Sequence, residues 1–370
     1  NINLKTNIMR KALLTVISFT LCLYITSCSQ SSKPEKARTI ETIATDAQQT
    51  LSFNHEPLSI DPIGIGDIIV TDTFLILALN KEENMLHVYN LPHLQFLGSF
   101  QKIGNGPDEV ILPSAFTQWF NKDGQIQLVM RSYQKFTGLL NISKSLIENK
   151  AIYDNKYTYN APKGKNSFQQ SSVSYLLGDS IFLINRSIIM RPQDNQNDFF
   201  EVYDYKNDSI LRSFYASNFP KELLEHHGRD QAFQKDIAIS NDCKKMVIAY
   251  RFLNMISIVN IEKEEINNLF TDGNKLNWEQ VIEGTPKPYY TKVHCNNAYI
   301  WAMAIEGEDP STFRSRLDIF DWKGNYLCKA HLDKWVSSFS IDERNQTMYA
   351  VTADDMLVRY NIKELLDQLP

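Results

Sequence analysis

Cysteine is scarce in this chain of 370 residues: there are five, with no C-x-x-C pair and no Cys/His spacing of a zinc site. A disulfide scaffold, a structural zinc and a thiol redox pair are thereby excluded as organising features. Also missing are a G-x-S-x-G elbow, an HExxH pair and a glycine-rich loop that runs into Lys-Ser/Thr, so nucleophilic hydrolysis, zinc hydrolysis and phosphate-loop chemistry have no support. Basic charge is not in excess, since 38 Lys and Arg face 43 Asp and Glu for a net charge of −5. Such a chain has no field to hold nucleic acid nonspecifically. What it does have is apolar material: 43% hydrophobic and 11% aromatic residues, enough for a large core.

The longest apolar run, Ala12 to Ile25, follows Met9-Arg10-Lys11. At 14 residues it is shorter than the roughly 20 that a membrane-crossing helix needs, and it reads as the core of a signal peptide. It ends in Ile25-Thr26-Ser27-Cys28, which resembles a bacterial lipobox; the resemblance implies cleavage before Cys28 and lipidation of that cysteine. Losing residues 1–27 removes Lys5, Arg10 and Lys11 and takes the net charge to −8. Residues 28–46 are polar and lack aromatic side chains, the composition of a flexible tether. The expected organisation is a leader over 1–27, a tether over 28–46 and a folded body over 47–370. Three later cysteines, Cys243, Cys295 and Cys328, leave at least one thiol unpaired.

A repeat runs through the body. A short apolar strand ending in Asn or Asp and an apolar residue recurs as HVYNL (87–91), GLLNI (138–142), EVYDY (201–205), SIVNI (257–261), DIFDW (318–322) and VRYNI (358–362). The polar positions Asn90, Asn141, Asp204, Asn260, Asp321 and Asn361 are spaced by 51, 63, 56, 61 and 40 residues. Each copy is preceded by a β-rich run such as FLILALN (74–80) or KMVIAYRF (245–252), and weaker strands flank most pairs. Four antiparallel strands repeated six times predict an all-β, six-bladed β-propeller. The Asn or Asp can bond its own backbone and start the next turn, so the six are expected to be structural. The last repeat turns helical after its third strand (KELLDQL), and TLSFN near Thr50–Asn54 is expected to supply its fourth strand and close the ring. Lys221 to Phe233 reads as a short helical insertion.

Gly104-Asn105-Gly106-Pro107-Asp108-Glu109, followed by Pro113, resembles the G-x-G-P-G-E motif with a following Pro of the TolB-like six-bladed β-propeller lipoproteins of Bacteroides-type bacteria. Lipobox, tether, repeat number and the motif's place after the first blade agree with that family, and Asp108 stands where it usually has Gly. The resemblance implies a propeller fold, export and binding, and no particular reaction. From the residues themselves the segment reads as a rigid interblade turn.

Three second strands end in arginine at one register position, Arg131, Arg186 and Arg251. The expectation is that they line one side of the channel mouth and bind a small anionic ligand through their guanidinium forks. Asn80, Lys81, Glu306, Arg314, Arg316, Asp354 and Asp355 share that register. The alternative is a calcium-dependent propeller hydrolase or lactonase, with Asn80, Glu306 and Asp354 as its metal ligands. Trp119, Tyr133, Tyr250 and Trp301 could stack on a ring but read as core, and the adjacent His226-His227 point apart on a helix. The expected protein is therefore a lipid-anchored module of the cell envelope, at the outer membrane. It would bind an anion or an envelope protein without a cofactor or nucleic acid.

Overall fold

The structure, a computed structural model, describes residues 38–44, 46–60, 62–111, 118–133, 135–158, 171–186, 199–217, 219–226, 229–273, 275–307 and 312–370, with backbone alone at 171–173, 186 and 229. The leader and Cys28 lie outside the described residues. The chain first lays down three strands, β1 (Arg38–Ile43), β2 (Gln49–Phe53) and β3 (Glu56–Pro57). Six antiparallel blades follow. Blade 1 is β4 (Ile65–Val70), β5 (Phe74–Leu79), β6 (Asn84–Asn90) and β7 (Phe96–Lys102); blade 2 is β8 (Trp119–Lys122), β9 (Gln125–Ser132), β10 (Phe136–Asn141) and β11 (Tyr153–Thr158). Blade 3 is β12 (Ser171–Leu176), β13 (Ile181–Arg186), β14 (Phe199–Asp204) and β15 (Ser209–Tyr215); blade 4 is β16 (Lys235–Ile239), β17 (Lys245–Tyr250), β18 (Met255–Asn260) and β19 (Glu265–Phe270). Blade 5 is β20 (Tyr290–Cys295), β21 (Tyr299–Glu306), β22 (Arg314–Asp321) and β23 (Tyr326–Leu332); blade 6 is β24 (Val336–Asp342), β25 (Thr347–Thr352) and β26 (Leu357–Asn361). The repeat thus forms the six-bladed propeller that its spacing predicts.

The N-terminal strands run around the outside of the last three blades. β1 pairs in parallel with β19 and β2 in parallel with β23, making blades 4 and 5 five-stranded, and β3 pairs antiparallel with β26. Two expectations change. TLSFN does not close the ring: its residues form β2 on blade 5, and closure falls to Glu56 and Pro57, opposite Arg359 and Val358. The chain steps from blade 5 to blade 6 at His55, whose backbone N–H and Nδ1 both reach the Asp333 carboxylate, at 3.2 and 2.8 Å, so the strand before that step belongs to the earlier blade. Residues 38–43, counted with the tether by composition, are a strand because β19 offers them a free edge.

The core lies between blades, as six apolar wedges, one for each neighbouring pair. Alternation along each strand puts successive side chains into opposite wedges, which is why the middle strands are buried on both faces. Trp301 and Tyr250 belong to these wedges, while Tyr133 is exposed and Trp119 half-buried. Among the described residues the wedge between blades 3 and 4 has 20 buried members, whereas that between blades 2 and 3 has seven. The free cysteines Cys243, Cys295 and Cys328 pack as small apolar residues.

All six repeat residues perform the turn chemistry expected of them. Asn90 Oδ1 accepts Gln95 N–H at 2.7 Å, Asn141 accepts Lys144 N–H at 2.9 Å, and Asp204 accepts Lys206 N–H at 3.0 Å. Asn260, Asp321 and Asn361 do the same for Lys263, Lys323 and Lys363 at 3.0, 2.9 and 3.0 Å. In blade 2 the capped turn grows into a helix, α1 (Ile142–Glu148), which repeat logic did not foresee. The expected helical insertion is two short helices, α2 (Lys221–Glu225) and α3 (Arg229–Ala232). A fourth, α4 (Glu279–Ile282), precedes blade 5, and α5 (Lys363–Gln368) ends the chain.

Candidate functional site

Inner strands of four blades bring a set of interior polar residues together: Asp67 on β4, Asp236 on β16, Lys292 on β20 and Ser338 on β24. Lys292 Nζ stands 3.2 and 3.1 Å from the two Asp67 carboxylate oxygens, and Ser338 Oγ donates to Oδ1 at 2.6 Å. Asp236 accepts Val293 N–H at 2.8 Å. Burial pushes the Asp236 carboxyl above the usual range, against the pull of the Lys292 ammonium. Burial alone would lower Lys292, but Asp236 and Asp67 together raise it. His294 lies two residues along β20, on the same side of the strand. Burial, then the Lys292 charge, pushes its pKa down to about 4, which leaves a neutral imidazole at pH 7. The Lys292 ammonium, bonded to Asp67 and acting through its charge on Asp236, therefore ties inner strands together, beside a cavity of about 60 Å³.

At the channel end formed by the turns between first and second strands, hydrogen bonds pass from blade to blade. Asn297 Oδ1 accepts Asp242 N–H at 3.0 Å, Asn296 donates to Glu343, Arg344 donates to the Asp72 carbonyl at 3.1 Å, and Asn121 donates to the Asp72 carboxylate at 2.6 Å. These bonds link blades 4, 5, 6, 1 and 2 around a mouth cavity of about 270 Å³.

A larger groove, of about 590 Å³, opens between blades 2 and 3, where the interblade wedge has the fewest buried members among the described residues. Its hub is Asp154 at the start of β11, which accepts from Gln127 at 2.5 Å, Asn141 at 2.8 Å and Lys144 at 2.7 Å. Burial would raise Asp154; these donors, Lys144 first, hold it below the usual carboxylate range. The second amide hydrogen of Asn141 goes to Gln125 Oε1 at 2.8 Å. The repeat residue that caps α1 thus also sets the polar wall of the groove. Phe120 stands beside Gln127 on the same sheet, and Leu176 of blade 3 stands opposite.

The described residues expected at the other mouth stand in different surroundings. Arg131 is buried, 7% exposed, and its charge acts on Tyr175 of the inner strand of blade 3. Arg251 is exposed, its guanidinium 5.5 Å from the Phe252 ring centre; the Arg186 side chain lies outside the described residues. Asn80, Lys81 and Asp355 hold the entry to blade 1. Asp355 accepts Gly64 N–H at 3.0 Å, Lys81 covers Gly64, and a Cβ on Gly66 would come within 2.4 Å of the Asn80 amide. Arg314 donates to the neighbouring Phe313 carbonyl at 3.0 Å and is exposed.

Glu306 is held by Arg316 at 3.1 Å and His331 at 2.7 Å, which keep its carboxyl below the usual range against burial. The rest of the Arg316 fork grips Asp318 at 2.6 and 2.8 Å, and Asp354 accepts from Thr352 at 2.5 Å. Calcium takes six or more oxygens around one point, and Asn80, Glu306 and Asp354 do not fit it, each being committed to a protein partner or packed on backbone. Among the described residues, no three His, Cys, Asp or Glu side chains stand close enough to hold a metal ion.

The glycine-rich segment is a clamped turn. Glu109 folds back so that Oε2 accepts Gly106 N–H at 2.7 Å, and Lys135 donates to the carbonyls of Gly104, Gly106 and Glu109 at 3.4, 2.7 and 3.1 Å. A Cβ on Gly104 would come within 2.2 Å of that carboxylate. Asp108 pairs with Lys156, and Pro113 lies outside the described residues. Sequence reasoning missed Lys135, Lys292 and Asp67; for Lys292 and Asp67 the signal available was a lone charge within a strand, while Lys135 lies in the turn between β9 and β10.

No family model matches the chain, and no curated protein matches it. Among solved structures it is similar to Kuenenia stuttgartiensis hydrazine synthase, with 12% identity, 84% of this chain and 81% of that one covered, and a TM-score of 0.44. It is also similar to a chain of a mitotic checkpoint complex, with 10% identity, 90% and 97% covered, and a TM-score of 0.45. Neither score reaches 0.5, and neither likeness bears on function.

Proposed function

We propose that this chain is exported, cleaved before Cys28, lipid-anchored at the outer membrane of a bacterial envelope, and works there as a binding module. The observation that carries the binding role is the groove of about 590 Å³ between blades 2 and 3, a volume within the range of small-molecule sites. The channel charges, by contrast, are consumed in holding the ring together. Anchoring rests on the lipobox Ile25-Thr26-Ser27-Cys28 and on the resemblance to TolB-like propeller lipoproteins. Two or more acyl chains hold a protein firmly, because each buried methylene contributes about 0.8 kcal/mol.

The test of the anchor is metabolic labelling with an alkynyl fatty acid, followed by fractionation, of the chain and its Cys28→Ser variant. The expected result is label and outer-membrane sedimentation for the chain and neither for the variant. Equal labelling of both, or none of either, overturns the anchor. Binding is tested by a thermal-shift screen of the acylated chain against small molecules and divalent metals, with EDTA as control. A ligand at 100 times its Kd stabilises by about 2.7 kcal/mol, a shift of a few degrees. Stabilisation by calcium that EDTA reverses would displace the binding module in favour of a metal-dependent enzyme.

A further inference from the structure

We propose that the groove between blades 2 and 3 takes an uncharged carbohydrate, a mono- to trisaccharide. The inference rests on the binding-module reading and names the ligand class for the same groove. Its polar wall is fixed before any ligand arrives: Asn141, itself buried, bonds both Gln125 and Asp154, and Asp154 in turn holds Gln127 and Lys144. After those bonds the described residues leave the Gln125 amide hydrogens, the Gln127 Oε1 and two Lys144 ammonium hydrogens unfilled. Open donors at Gln125 and Lys144 and an open acceptor at Gln127 therefore stand on one wall. A hydroxyl is both donor and acceptor, so a run of vicinal hydroxyls can answer such a wall without strict order. An anion offers acceptors alone, and an alkyl or aromatic ligand offers neither.

Apolar surface flanks that wall at Phe120, the cross-strand neighbour of Gln127, and faces it at Leu176 of blade 3, and it suits the C–H face of a pyranose ring. Charge points the same way. The groove has Lys122 and Lys144 against Asp123, Asp154 and Asp179, a net charge of −1 that disfavours an acidic sugar. Because the wall is already held in place, little side-chain freedom is lost on binding.

The test is calorimetric titration of the acylated full chain, in a detergent without a sugar headgroup. The probes are glucose, galactose, mannose and N-acetylglucosamine with their β-1,4-linked di- and trimers, and glucuronate and N-acetylneuraminate as charged counterparts. At least one neutral sugar is expected to bind, at least tenfold tighter than its charged counterpart. Asn155→Ala, at the exposed rim of the groove, and Phe120→Ala should each weaken it tenfold or more, while Lys363→Ala on the far blade leaves it unchanged. Unfolding midpoints without sugar identify any variant that fails to fold, and Asp179→Ala, also exposed in the groove, stands in for it. Silence from every neutral sugar, tighter binding of the charged ones, or binding indifferent to the groove variants overturns the proposal. Failure of the anchor is read separately, from the fatty-acid label.

Discussion

Lys292 and Asp67 come from the fifth and first blades and meet across the sixth, Nζ lying 3.1 Å from Oδ2 while Ser338 of the sixth blade donates to the same carboxylate. The ring closes at that blade, where β3 contributes two residues. The interior ion pair therefore spans the weakest backbone seam of the propeller, and Arg344 and Ser340 add bonds across the same joint, to the Asp72 carbonyl and from Val70 N–H, at 3.1 and 3.0 Å.

Removing the shared ammonium should cost more than removing the whole cluster. Lys292→Met leaves Asp67 and Asp236 buried without a counter-charge, a loss of about 3–5 kcal/mol by the usual cost of breaking a buried pair. Adding Asp67→Asn and Asp236→Asn should restore part of it. Chemical denaturation of the three proteins checks this; a triple variant less stable than Lys292→Met would refute the pairing account.

Acid should destabilise the fold through His294. Its folded pKa is about 4 and its unfolded value about 6.5, so below pH 6.5 the unfolded chain binds a proton that the folded chain refuses. Stability is full above pH 6.5 and falls by roughly 3 kcal/mol as pH drops to 4. The raised Asp236 carboxyl works in the opposite sense, since the folded state there takes a proton more readily. Melting temperatures across pH 4–7 should fall less steeply in His294→Leu; parallel curves would remove His294 as the cause.

At the glycine-rich turn, Gly104→Ala and Glu109→Ala should be equivalent. The new methyl displaces the carboxylate that caps Gly106 N–H, so either change loses the same bond, about 1–2 kcal/mol. The double variant should cost little more than one alone. Full additivity in a double-mutant cycle would mean that the glycine serves something else.

Hydrogen exchange should open the ring at blade 6 first. The β26 amides facing β3 are covered by two residues, while β19 and β23 are each sealed by a further strand. Mass spectrometry of native-state exchange should find protection near Val358 lower than near Leu269 or Ala330. Equal protection would show that the interior cluster, not the strand count, governs opening.

Much of this protein is local chemistry, and local chemistry is legible in a sequence. Alternating β-branched and aromatic runs define the strands, and the Asn or Asp after each third strand needs only the next few backbone amides to make its turn, so Asn90 through Asn361 announced six blades without any long-range information. The closing strand was misassigned, because TLSFN and Glu56-Pro57 differ not in propensity but in which free edge the chain has reached. Lys292 finds Asp67 across 225 positions, and Arg131 and Arg251 share a register yet differ in burial. Pairings of that kind depend on how the blades meet in space, so periodicity predicted the blades while tertiary packing alone decided the seam, the ion cluster and the groove.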